Sequence, residues 1–295
     1  MFAFINLRRF VLSLCLVAAF TFAMPHAHGN PNDTPTVHLV AIGDTDVGGD
    51  FGRKLGEDAR NIKTTFEKAF ARANRSSQLK THLLLGQSVT PANILKVIGQ
   101  LKVGRNDTIV VLYSGHGATD PRLGHVLTLD HGRLYRKDLL NALKAKNPRL
   151  MVVLTDCCSS GVPARAVVNT YTPRPLASGQ VMQWSTVQSL FLRHQGLVDI
   201  TAAEPGYCGK IDLQKSGSLF TNALTKILTA PNASLVSNLD KDGDGQMQWD
   251  EILPQLRAQA AQYDRNQMRT RDVRPQQAYA TSLGRWIPMT SPTAR

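Results

Sequence analysis

Two glycine-bounded stretches carry the residues whose side chains could react. One, Tyr113-Ser114-Gly115-His116-Gly117, closes an apolar run with a histidine between glycines. The other, Thr155-Asp156-Cys157-Cys158-Ser159-Ser160-Gly161, closes a second apolar run with an acid and two adjacent cysteines. A thiol becomes an effective nucleophile when a neighbouring imidazole takes or shares its proton. The two groups need only project from neighbouring strand ends, and His116 and Cys158 meet that condition if their strands are parallel. The N–H of Gly117, unobstructed by a side chain, and that of the cysteine could then stabilise a carbonyl oxygen becoming an oxyanion. The cysteine pair has other readings. It could be two buried thiols, a strained vicinal disulfide that would abolish the nucleophile, or part of a metal site, for which Cys-Cys lacks the Cys-x-x-Cys spacing. The remaining histidines His38, His82, His125, His131 and His194 fall in or beside periodic segments and read as core or surface residues.

The elements around these stretches alternate. Apolar runs at 36–43, 80–86, 107–117, 149–156 and 196–206 read as buried strands, and 124–130 as a hairpin arm. Amphipathic spacing predicts helices over 57–73, 90–101, 136–146, 185–194, 217–229 and 249–263. Thr90 and Pro91 supply an N-cap and a first helical residue. Short apolar runs that do not alternate, separated by amphipathic helices, imply an α/β fold with a mostly parallel central sheet covered by helices on both faces. In such sheets functional groups gather beyond the carboxyl ends of the strands, which puts both reactive stretches on one rim. Residues 162–183 hold three prolines without a clean period and read as a long loop.

The chain of 295 residues opens with Arg8 and Arg9, an apolar run from Phe10 to Met24, and small residues at Ala27 and Gly29. That pattern predicts a signal peptide over 1–29, a mature domain over 30–295, and a secreted or periplasmic protein with no stable membrane insertion after cleavage. Removing Arg8 and Arg9 lowers the formal net charge from +12 to +10. The basic residues are scattered, apart from crowding at Arg257, Arg265, Arg269, Arg271 and Arg274, and no aromatic-basic interleaving accompanies them. No nucleic-acid partner is expected. The mature chain keeps Cys157, Cys158 and Cys208. An odd count in an exported protein argues for a free thiol with a task rather than a disulfide framework.

The strand ending Tyr-Ser-Gly-His-Gly and the later strand ending Asp-x-Cys-x-Ser-Gly resemble the caspase-like cysteine peptidases, nearest to metacaspases and bacterial caspase-family peptidases. Gly217–Leu224 resembles the helix following their specificity-forming loop, and 274–282 a late strand of the fold. The resemblance implies a three-layer caspase-like fold and hydrolysis of protein or peptide substrates by a Cys-His dyad without an organic cofactor. Its Asp-x-Cys register makes Cys158 the nucleophile and Cys157 a bystander, with His116 as its partner. It also implies a preference for Arg or Lys before the scissile bond, through an acidic pocket to which Asp156 and Glu204 would contribute. Ser159 stands where metacaspases often carry histidine. Arg165 and Arg174 lie where such enzymes are often self-processed. A legumain- or gingipain-like relative would share the strand ends but differ in specificity. From another class, the chain could be a catalytically inactive caspase-fold module that binds calcium and partners.

Residues 240–251 match a twelve-residue EF-hand loop. Asp240, Asp242 and Asp244 fall at positions one, three and five, Gly245 at the turn, Gln246 at the backbone ligand and Glu251 at the bidentate carboxylate. The spacing suits Ca2+, which an exported protein meets at concentrations that fill even a weak site.

Overall fold

A computed structural model describes residues 34–162, 185–212, 217–229, 239–240, 247–267 and 276–286. Residues 1–29, read above as a signal peptide, Arg165 and Arg174 of the stretch 162–183 read as a loop, and Asp242, Asp244 and Gln246 lie outside the described residues. Among those described, no helix is long and apolar enough to cross a membrane.

The central sheet has six strands in the order β11-β8-β7-β3-β1-β2. These are β1 (Val37–Gly43), β2 (Leu79–Leu85), β3 (Thr108–Ser114), β7 (Leu150–Asp156), β8 (His194–Thr201) and β11 (Tyr279–Trp286). All neighbours run parallel except β11, which is antiparallel to β8. Side chains alternate across the strands, so each strand feeds two cores. On one face Leu39, Ala41, Val110, Leu112, Val152 and Leu154 meet helix α1 (Gly49–Arg72), α4 (Leu219–Thr229) and α5 (Trp249–Gln267) through Ile62, Phe66, Phe220 and Trp249. On the other, Val40, Ile42, Val111 and Val153 meet α2 (Pro91–Gln100) and α3 (Arg136–Ala145) through Ile94, Ile98, Leu139 and Leu143. Each of these large side chains contributes about 1.5–3 kcal/mol by leaving water. The layers are those expected from the non-alternating apolar runs.

Local chemistry fixes the boundaries. The Thr90 hydroxyl accepts the Asn93 N–H at 3.1 Å and Pro91 opens α2, as predicted. Helix α1 begins at Gly49, eight residues before the predicted start, because its first two turns lack a clean apolar period. The predicted strand at 107–117 ends at Ser114. The chain then turns into a separate three-stranded antiparallel sheet of β4 (His116–Asp120), β5 (Gly124–Leu129) and β6 (Gly132–Tyr135). The predicted helix at 185–194 is a short π-type turn at Gln188–Leu192 followed directly by β8. Two further short strands, β9 (Ile211–Asp212) and β10 (Gly217–Ser218), pair antiparallel before α4.

Candidate active site

The register of β3 and β7 sets the geometry. Ser114 stands opposite Asp156, and the Gly115 N–H donates to the Asp156 carbonyl at 3.2 Å. His116 and Cys158, each two residues beyond that rung, therefore leave the main sheet at the same edge. The Tyr113 hydroxyl donates to the His116 carbonyl at 2.9 Å and anchors the first residue of β4. A side chain at 115 would place its Cβ 2.2 Å from that hydroxyl. One at 117 would lie 2.5 Å from the Cys158 carbonyl oxygen and 2.6 Å from the Cys157 sulfur. The glycines flanking the histidine are thus demanded by close approach. The exposed imidazole of His116 stacks on Phe51, with centroids 4.8 Å apart and planes at 29°.

The two thiols differ in kind. Cys157 is 3% exposed and packs into the core beneath α2 and α3. Burial raises its pKa, against a smaller opposing pull from Arg136. Cys158 is half-buried and lines a cleft. Its thiol is pushed up to about 12, first by burial and then by the hydrogen bond and charge of Cys208, against the Gly209 N–H. All three described cysteines are free. The resting thiol is therefore neutral, and its proton leaves only as a reaction proceeds. A consequence can be measured: iodoacetamide labelling of Cys158 should accelerate about tenfold per pH unit from 7 to 9. A plateau near pH 6–7 would instead indicate a preformed thiolate–imidazolium pair.

The cleft encloses about 160 Å³ and is lined by both dyad residues, Phe51, Asp156, Lys210 and Ser218 among others. Asp156 is 5% exposed. It accepts the Thr221 N–H at 2.9 Å, the Thr221 hydroxyl at 2.7 Å and the Ser218 hydroxyl. Burial raises its pKa, opposed by those donors. Behind it lies Asp58 of α1, which accepts the Ser218 N–H at 3.2 Å and faces the Ser114 hydroxyl at 3.3 Å. Burial, and then the charge of Asp156, push Asp58 up to about 8. Asp58 thus lies behind the cleft against Asp156, and the two carboxylates oppose each other's ionisation. Asp58 was not identified from sequence. Its signal was an acid on the apolar face of a helix, amid Leu55, Ala59 and Ile62. Glu204 is buried beyond the end of β8 and is not among the residues lining the cleft; its charge is felt by Arg257.

A second missed group is His125. Arg136 can only donate, and its Nη1 lies 3.2 Å from His125 Nδ1, so Nδ1 is the acceptor and Nε2 carries the proton. That Nε2–H donates to the Cys158 carbonyl at 3.2 Å. Burial, and then Arg136, hold the ring's pKa down to about 4, so it remains a neutral donor. Arg136 is fixed in turn by Asp199 and by the Thr155 hydroxyl, the latter at 2.8 Å. The backbone of the half-buried cysteine is thus held from behind.

Of the twelve-residue acidic loop, Asp240 and Glu251 are described. Glu251 is buried and accepts the Gln248 N–H at 2.9 Å, which caps the start of α5. One of the two oxygens that a bidentate ligand would offer is therefore engaged with the backbone.

Comparison with curated proteins finds no match to this chain. A family model described as a caspase domain matches residues 53–243, well over half of the sequence. The match spans α1, β3, β4, β7 and α4, the elements that place Asp58, His116, Cys158 and the residues holding Asp156. With that match and a parallel sheet ending in histidine and cysteine on one rim, the chain belongs to the caspase-domain family.

Proposed function

We propose that the chain is an exported cysteine endopeptidase that cuts peptide bonds after Arg or Lys. One observation carries this reading: His116 and Cys158 leave the same rung of the sheet over a cleft backed by two buried carboxylates. As the Cys158 sulfur attacks the carbonyl carbon, its proton passes to His116. The C–O π pair moves onto oxygen, where the N–H groups of Gly117 and Cys158 can stabilise it. Collapse re-forms the carbonyl and breaks the C–N bond, and His116 returns the proton to the leaving amine. Water then attacks the thioester carbon, with His116 accepting its proton; the C–S bond breaks, the acid product leaves, and His116 returns that proton to the Cys158 sulfur. A guanidinium or ammonium in the cleft would meet Asp156, with Asp58 behind it, which is the basis for basic specificity.

The 240–251 loop supplies an oxygen-rich set for Ca2+, with Asp240 and Glu251 at its ends, and would act as a clip before α5. Export rests on the 1–29 segment, and self-cleavage at Arg165 or Arg174 on the long segment between the two halves of the domain. The deciding experiment incubates residues 30–295 with fluorogenic peptides ending in Arg, Lys, Asp or Asn, with calcium and with a chelator. Turnover confined to Arg and Lys supports the proposal. Turnover after Asn or Asp moves the chain to another specificity. No turnover with any peptide, while calcium still raises the melting temperature, overturns the peptidase reading in favour of a binding module.

A further inference from the structure

Beyond the end of β1, two short segments bring ligand-type side chains together. Asp44 and Asp46 follow β1, and Asp130 and His131 form the turn between β5 and β6. A carboxylate oxygen of Asp46, one of Asp130 and a ring nitrogen of His131 all lie within 4.8 Å of one another. His131 Nε2 is 2.8 Å from Asp46 Oδ2 and 3.7 Å from Asp130 Oδ2. Metal bonds of about 2.1 Å place ligand atoms about 3–4.2 Å apart, so the 3.7 Å pair already suits a shared ion and the 2.8 Å pair need open only slightly.

The independent observation is Asp44. It is 0% exposed, and its Oδ2 accepts the Asp130 N–H at 3.0 Å, which turns the carboxylate toward the cluster. Its Oδ1 is buried with no hydrogen-bond partner. A buried carboxylate oxygen without a partner is costly, and a cation at this corner would satisfy it.

We propose that Asp46, Asp130 and His131, backed by Asp44, bind a divalent cation that accepts both carboxylate and imidazole ligands, of the Mn2+ or Zn2+ kind. An imidazole among carboxylates disfavours Ca2+ and Mg2+, which take oxygen sets. The site is separate from the 240–251 loop, which offers oxygens only. It adjoins the dyad: the Asp44 N–H donates to the Ser114 carbonyl at 3.1 Å.

Mn2+ is the probe, because it ignores the thiols at 158 and 208 that Zn2+ would seek. It is titrated, with detection by electron paramagnetic resonance, into residues 30–295 carrying Asp242→Asn and Asp244→Asn to disable the acidic loop. The expected result is one bound Mn2+ per chain, weakened at least tenfold by His131→Ala and by Asp46→Asn, two surface changes checked by melting curve. In the chain with its loop intact, pulsed spectra should show 14N coupling from the imidazole, absent in His131→Ala. The loop cannot produce that coupling, so this arm does not depend on the disabled chain folding. No Mn2+ bound by the folded loop-disabled chain, or affinity and spectra indifferent to His131→Ala, overturns the proposal. Neither outcome depends on peptidase activity.

Discussion

Replacing Cys158 with alanine is expected to lower kcat/KM toward Arg or Lys peptides by at least about 10³-fold, whereas Cys157→Ala keeps activity within about tenfold of the parent. The asymmetry follows from position. Cys158 lines the cleft with His116, and without its sulfur no acyl-enzyme forms. Cys157 points into the core against Gly117, and truncating it removes a small buried group at a cost of about 1–2 kcal/mol in stability. Parallel melting curves separate the effects: Cys157→Ala should melt lower and still turn over, and Cys158→Ala should fold and not turn over. Equal loss of turnover in both variants, each still folded, would move the nucleophile away from Cys158.

The second large effect concerns the acidic pair. Asp156→Asn should reduce kcat/KM for Arg peptides by about 10²–10³-fold, the effect of removing one partner of a buried charge pair, whereas Asp58→Asn should cost activity chiefly above pH 8, where Asp58 is ionised. The two differ in stability. Asp156 accepts three hydrogen bonds, from Ser218 and Thr221, and Asp156→Asn should destabilise. An unfolded aspartate ionises near 3.9, and Asp58 in the fold only at about 8. Between those values the folded chain holds a proton that the unfolded chain has lost, so this group lowers stability as pH rises. Asp58→Asn removes that slope and should raise the melting temperature at pH 8 more than at pH 5. In the parent, KM for Arg peptides should fall as pH rises through 8 and the Asp58 charge appears. A pH-independent KM, or Arg turnover in Asp58→Asn unchanged above pH 8, would detach this pair from substrate binding.

How far these residues could be read from sequence depends on how far their partners lie along the chain. His116 and Cys158 were legible because each ends an apolar run, and parallel pairing brings such ends to one rim. The start of α2 was legible because Thr90 and Pro91 act within one turn. Asp58 was not, since its partner Ser218 comes from a strand far along the chain, and helical periodicity has no rule for an acid facing inward. Cys208 was counted but not placed, because only the loop after β8 brings it to Cys158. His125 and His131 read as ordinary because their partners, Arg136 and Asp46, lie on other elements. The break after Ser114 was hidden in an unbroken apolar run. It shows only when Gly115 is seen bonding across to Asp156 beneath the Tyr113 hydroxyl.

That break divides the dyad between two sheets. Cys158 follows a central strand of the six-stranded sheet, with a core on either face. His116 opens a three-stranded antiparallel sheet held to it by Tyr113, by the Thr119 N–H on the Ser160 carbonyl and by His125 on Cys158. The two sheets need not open together. Cooperative units with fewer buried contacts open at lower free energy than the global transition, so amides of β4–β6 should exchange ahead of those in β3 and β7. Sub-global opening of that small unit would separate acid–base group from nucleophile while the main fold persists. Thermal inactivation would then precede the calorimetric transition, with its midpoint governed by the small sheet.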